Sequence, residues 1–186
     1  MMKKIILLSL LFTTISCKPQ SKKQTEVEKI THYNMENKLE YNKLVNKDFE
    51  KFDIKRFDEN KDEAEDYVYF LNDGTRVREF GDKESGYFSE LTTNNSIIMV
   101  IKVFSNSGNI MNKYPAIKGS ECPLGIQYDF DEKGKMIKET DLDEPYKLTI
   151  EDILQFLKKN NANFERYYSI NRSFEKKKKK GTWSLD

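Results

Sequence analysis

Tyr67-Val68-Tyr69-Phe70-Leu71-Asn72-Asp73-Gly74-Thr75-Arg76-Val77-Arg78-Glu79-Phe80 is an aromatic and β-branched run, a turn, and a second alternating run. Asn-Asp-Gly between two such runs is a hairpin signal, because glycine supplies the positive φ that a tight connection needs. The design returns twice. Residues 97–104 lead through Ser105-Asn106-Ser107-Gly108 into Asn109-Ile110-Met111-Asn112-Lys113-Tyr114. Residues 125–130 lead through Asp131-Glu132-Lys133-Gly134 into Lys135-Met136-Ile137-Lys138-Glu139. Each copy has an aromatic four residues before the glycine, namely Phe70, Phe104 and Phe130. At that fixed distance the ring is expected to pack on the core face of its strand. A further strand over residues 86–92 would join the hairpins into one twisted antiparallel sheet.

The period changes beyond Pro145. Ile150, Ile153, Leu154, Phe156 and Leu157 share one face at helical spacing, and Thr149 with Asp152 forms a capping box in which Asp replaces Glu. The helix should end near Asn160-Asn161 and lay its apolar stripe on the sheet. Residues 164–170 read as a strand, and Thr182-Trp183-Ser184-Leu185 as a short final one. Before the hairpins, Tyr41, Val45, Phe49 and Phe52 fit a helical stripe, whereas Phe52 and Ile54 around Asp53 fit alternation; the segment from Glu36 to Phe57 is taken as a helix. The expected fold class is therefore α+β: an antiparallel β-meander, one C-terminal amphipathic helix packed on a face, and an N-terminal helix.

The chain opens with Met1-Met2-Lys3-Lys4, a basic start, followed by the apolar Ile5-Ile6-Leu7-Leu8-Ser9-Leu10-Leu11-Phe12. That core is secretory in length and far below the about 20 apolar residues of a bilayer-crossing helix. Ile15-Ser16-Cys17 follows and resembles the lipobox of bacterial lipoproteins, with a small residue directly before the cysteine; Thr14 departs from the aliphatic residue preferred there. The resemblance implies cleavage before Cys17, a diacylglycerol thioether on its sulfur and an acylated amine, enough acyl chain for stable anchoring. Lys18-Pro19-Gln20-Ser21-Lys22-Lys23-Gln24 is polar and without an apolar stripe, as a tether would be. The division expected is a signal over 1–16, a lipidated tether over 17–35 and one domain over 36–186. By the same resemblance, the lack of an Asp after Cys17 favours the outer membrane, and the lack of an acidic stretch there favours its periplasmic side.

Charge is unevenly distributed. Residues 31–171 hold 20 Lys and Arg against 27 Asp and Glu, whereas residues 172–186 hold 6 against 2. An acidic body argues against nucleic acid, whose backbone is bound by clustered cations, and favours a protein partner with a basic face. If Cys17 is acylated, Cys122 has no partner for a disulfide in its own chain. His32, the single histidine, falls in the tether. Ser-His-Asp, Cys-His and the usual zinc chemistries are thereby removed from the body, and neither a cofactor nor a metal is expected.

The remaining candidates read as architecture. Asp129, Asp131, Glu132 and Gly134 have loosely calcium-loop spacing but lack the closing bidentate Glu, so turn chemistry accounts for them. Asp141, Asp143 and Glu144 read as exposed loop charge. Cys122 is expected to be buried, Trp183 to pack at the core or an edge, and Lys176-Lys177-Lys178-Lys179-Lys180 to be the exposed connection of a last hairpin.

The aromatic-x-x-x-Gly units, Tyr128-Asp129-Phe130-Asp131-Glu132-Lys133-Gly134 among them, resemble the hairpins of MORN-like repeat proteins, which include bacterial proteins described as antitoxins. The whole layout is similar to small lipoproteins of Bacteroidota. These readings lead to a non-catalytic envelope lipoprotein, anchored to the membrane through Cys17, that binds a protein; in its sharpest form it is an immunity protein against a toxin delivered by a neighbouring cell. The alternative, a glycan-binding lipoprotein or carboxylate hydrolase, would require a pocket with two carboxylates about 5 to 10 Å apart.

Overall fold

The computed structural model describes residues 40–93, 96–162, 170–178 and 180–185. The signal, the tether, Cys17 and His32 lie outside these residues, as does nearly all of the strand expected over 164–170. The described chain is α+β. Strands β1 (Asp66–Phe70), β2 (Arg76–Asp82), β3 (Gly86–Thr92), β4 (Ile98–Phe104), β5 (Ile110–Ile117), β6 (Cys122–Pro123), β7 (Ile126–Phe130) and β8 (Met136–Asp141) form one antiparallel sheet. The path runs β1-β2-β3-β4-β5-β7-β8, a meander, with β6 pairing the end of β5. Pro115 sits where β5 changes partners, from β7 at Asn112 and Lys113 to β6 at Ala116 and Ile117, a break in the ladder that tolerates a missing N–H.

The three expected hairpins share one turn. Leu71, Ser105 and Asp131 each donate N–H to the carbonyl four residues on, and each accepts from the glycine three residues on, at 2.8 to 2.9 Å. Gly74, Gly108 and Gly134 have φ of 83°, 81° and 79°. This is a three-residue hairpin loop closed by a left-handed glycine. In the second and third copies the register shifts one residue further out, leaving Met111 and Ile137 as exposed bulge residues.

The register sorts the side chains onto two faces. One carries Val77, Tyr87, Val100, Phe104, Ile110, Tyr128 and Phe130, and is covered by the preceding chain. Phe104 and Phe130 are buried there as expected, but Phe70 is 66% exposed. The first hairpin lacks the register shift, and its residue four before glycine lies on the opposite face from Tyr67 and Tyr69; a one-residue offset reverses every side chain.

The expected N-terminal helix is not continuous. Residues 36–39 lie outside the described residues, and among those described helical turns are confined to a 3-10 turn at Tyr41–Lys43 and to α1 (Ile54–Asn60), capped by the Asp53 side chain on the N–H of Arg56. Between them the chain is a strap, bridged at Lys51 to Asn109, with Phe52 N–H on the Gly108 carbonyl and Ile110 N–H on that of Glu50. Asn46 takes the N–H of Asp48 with its side chain, the local competition that makes Asn and Asp poor helix interiors. Tyr41, Val45 and Phe52 are still buried, but Phe49 is exposed.

The C-terminal helix α2 (Ile150–Lys159) begins at the expected capping box, Thr149 with Asp152. It buries Ile150, Ile153, Leu154 and Leu157 in a cluster with Ile98, Ile117, Cys122 and Leu124, at the end of the covered face. Strands β9 (Ile170–Glu175) and β10 (Lys180–Leu185) make a separate antiparallel hairpin whose Ile170 joins the same cluster. No described helix is long and apolar enough to cross a membrane.

Candidate binding surfaces

The charges on the covered face are spoken for. The register lines up Glu79, Ser89, Lys102, Lys113, Tyr128 and Glu139 in one row across six strands. The strap and α1 oppose that row with the complementary sign at each charge. Arg56 Nη2 donates to both carboxylate oxygens of Glu79 at 2.6 and 2.8 Å, Glu50 accepts from Lys102 and Lys113, and Lys47 reaches Glu139 at 2.7 Å. Lys113 is 1% exposed, and its ammonium donates to Asn46 Oδ1, the Asp48 carbonyl and Glu50 Oε1 at 2.7 to 2.8 Å. All three of its protons are used, as a buried ammonium requires. Sequence alone does not pair these residues, because the partners lie 23 to 92 positions apart.

Of the candidate carboxylates, Asp129, Asp131, Asp141 and Asp143 are committed as well. Asp131 caps its turn through the N–H groups of Lys133 and Lys135, and Asp129 accepts from Gln127. Asp143 is not free loop charge: Arg172 reaches one oxygen at 2.6 Å and the Tyr41 hydroxyl the other at 2.7 Å. Burial and the Asp143 hydrogen bond push the Tyr41 phenol well above its usual range. The clamp ties the Tyr41–Lys43 turn, the loop before α2 and β9 together. Among the described residues no group of three His, Cys, Asp or Glu side chains is placed to hold a metal ion.

Two surfaces remain uncommitted. The first is β1, which with β8 is one of the two edges of the sheet among the described residues. The Leu71 to Thr75 bond fixes the alternation, so Tyr69 and Tyr67 bond to β2, and residues 66, 68 and 70 turn their N–H and C=O groups outward. Asp62 takes both groups of Asp66. Those of Val68 and Phe70 have no described partner, and the side chains of Val68, Phe70 and Leu71 are exposed. This open, apolar edge lies in an acidic stretch: residues 58–90 hold 11 Asp and Glu against 4 Lys and Arg.

The second is a groove of about 940 Å³ between α2 and the β9–β10 hairpin. Pro145, Leu148, Ile153, Phe156, Trp183 and Leu185 give it apolar walls, and Lys147, Lys178 and Lys180 line it as well. Leu148 and Phe156 are 53% and 56% exposed, so Phe156 belongs to the groove and not to the buried stripe expected of α2. Its position three residues after Ile153 widens the apolar arc past what the sheet end can cover, which is the sequence signal for it. The groove's one carboxylate, Asp152, is held in the helix cap. Trp183 donates its indole N–H to the Leu148 carbonyl at 3.0 Å and packs on Tyr146. The lysine run lies partly in the turn after Glu175, where Lys178 N–H bonds the Glu175 carbonyl, so it does connect a hairpin; Lys179 is outside the described residues. Cys122 is buried, which raises its thiol pKa although the Arg172 charge acts in the opposite sense.

No protein-family model matches the chain, and no curated protein or solved structure is similar to it.

Proposed function

We propose that the chain is a non-catalytic envelope lipoprotein, anchored by acylated Cys17 at the periplasmic side of the outer membrane, that holds a protein partner on the β1 edge. What carries the reading is that edge: two residues with outward, unpartnered backbone groups and exposed apolar side chains, set in an acidic surface. An extended segment with basic flanks would add as a further strand, its backbone giving affinity and its charges giving orientation and encounter rate. A toxin arriving from a neighbouring cell is the partner proposed, which makes the chain an immunity protein, in keeping with its resemblance to MORN-like antitoxins.

Val68→Pro tests this directly. Proline removes the outward N–H and no bond to β2, so stability should change by less than about 1 kcal/mol. Affinity capture with the tagged full chain, from envelope extract and from competitor secretions, should return a stoichiometric basic protein that Val68→Pro loses. Equal capture by both proteins, or no stoichiometric partner, rules the edge out. The anchor is checked by incorporation of a fatty-acid analogue, expected in the parent and absent in Cys17→Ser.

A further inference from the structure

The groove between α2 and β9–β10 does not take part in the β1 edge, and its chemistry is the reverse. Its walls are apolar and partly exposed, and its volume lies in the range of small-molecule sites, about 300 to 1,000 Å³. Phe156 is not an isolated exposed side chain: with Leu148, also over half exposed, it lines one groove together with Pro145, Ile153, Trp183 and Leu185, a contiguous apolar surface of the kind that takes a ligand. The charge of that partner follows from the lysines. Lys178 is paired with Glu175 at 3.1 Å, whereas Lys147 and Lys180 have no ion pair among the described residues. The lining holds one carboxylate, Asp152, fixed in the helix cap, so its single negative charge faces those two lysines and leaves the groove with an excess of positive charge. The groove therefore offers apolar contact along its length and a net excess of positive charge.

We propose that this groove seats a phospholipid, with an acyl chain along Leu148, Ile153, Phe156, Trp183 and Leu185 and the phosphate between Lys147 and Lys180. An acyl chain matches the apolar side chains that make up most of the walls, and a phosphate matches ammonium groups that outnumber the one carboxylate. A peptide would bring backbone N–H groups along its length, and a lining whose polar side chains are mostly lysines gives these few acceptors.

The chain contains a single tryptophan, Trp183, and it lies in the groove wall, so its emission reports occupancy without a label. The full chain carrying Cys17→Ser, which has no attached acyl group to compete, is titrated with dodecyl phosphate. Dodecyl maltoside, inorganic phosphate and an acidic Leu/Glu helical peptide serve as the other arms. A saturable shift with dodecyl phosphate, at least tenfold tighter than with dodecyl maltoside and absent with inorganic phosphate, is the expected result. Lys147→Glu with Lys180→Glu should cost at least tenfold in dodecyl phosphate affinity and leave dodecyl maltoside unchanged. Phe156→Asp, an exposed position that should leave the melting temperature intact, should abolish both. Equal affinity for the phosphate and the maltoside overturns the proposal, as does a response to the acidic peptide alone or the absence of any shift. Because Val68 and the β1 edge lie outside the groove, Val68→Pro should bind dodecyl phosphate like the parent, whatever its effect on partner capture.

Discussion

Lys113 and Glu50 form an ion pair whose two halves differ in what their loss would leave behind. Lys113 is buried on all sides, whereas Glu50 keeps 31% of its side-chain surface in water and a second cation, Lys102. Glu50→Gln strands a full charge in the interior with only neutral acceptors, a change that costs about 3 to 5 kcal/mol. Lys113→Met keeps the apolar stem and leaves a carboxylate that is still paired and partly hydrated, so its cost should be about 1 to 3 kcal/mol. Urea unfolding of the two variants should place Glu50→Gln as the less stable; the reverse order would mean that the strap is held by something other than this pair. The pH dependence follows from the same site. Burial raises the Glu50 pKa, but the hydrogen bonds and charges of Lys102 and Lys113 outweigh it and hold the carboxyl below its ordinary 4.5. A carboxyl with a lowered folded pKa contributes stability that is complete above its unfolded pKa and is lost as pH falls through the folded one. Stability should thus be insensitive to this group at neutral pH and decline below about pH 4.5, with a shallower acid decline in Glu50→Gln.

The hairpin is the element at which sequence and structure agree best, and its glycines are unequal. All three turns need a left-handed residue, which costs alanine about 1 to 2 kcal/mol. At Gly134 an added Cβ would fall 2.0 Å from the Phe49 ring, an exposed side chain that can rotate away. At Gly108 it would fall 3.0 Å from the Phe52 carbonyl, whose residue is fixed because its own N–H bonds to Gly108. Gly108→Ala is therefore expected to lower the melting temperature more than Gly134→Ala, although the Gly134 contact is the shorter. The hairpins and the α2 cap were legible because each rests on residues within a few positions of one another: a glycine with an aromatic four before it, a Thr with an Asp three after it. The strap was not, because Asn46, Asp48 and Asp53 turned a helical spacing of apolar residues into extended chain that finds its bonds at Gly108 and Ile110. Phe70 was misplaced for a related reason, since its face depends on whether the partner strand bulges. Neither binding surface could be read at all: the edge depends on which strand ends the sheet, and the groove on where the last hairpin docks.

At the scale of the molecule, the described residues form two large cores, one under the strap on the covered face and one at the sheet end where α2 and β9–β10 converge, beside a smaller cluster of Met99, Ile101 and Ala116 on the other face. The second is joined to the rest through few strands: β9–β10 is a sheet of its own, tied in by Ile170 and by the Arg172 to Asp143 ion pair. Arg172 has a side chain only 5% exposed, so Arg172→Ala removes packing and leaves Asp143 without its cation. The C-terminal unit should then open separately from the meander, since structures unfold in cooperative units of differing stability. Cys122 reports that opening, because it is buried in the same cluster. In wild type, burial raises its thiol pKa and Arg172 partly offsets the rise, so removing Arg172 moves the pKa further up and lowers the thiolate fraction. Chemistry alone would thus slow labelling in Arg172→Ala, and any acceleration must come from access. In a Cys17→Ser background, labelling by a thiol reagent at neutral pH should run at least tenfold faster in Arg172→Ala than in the parent. Amide exchange in β2, β3 and β4 should be unchanged. Faster exchange throughout the sheet would mean that the two cores unfold as one, whereas slower labelling with unchanged exchange would mean that the clamp does not hold the C-terminal unit in place.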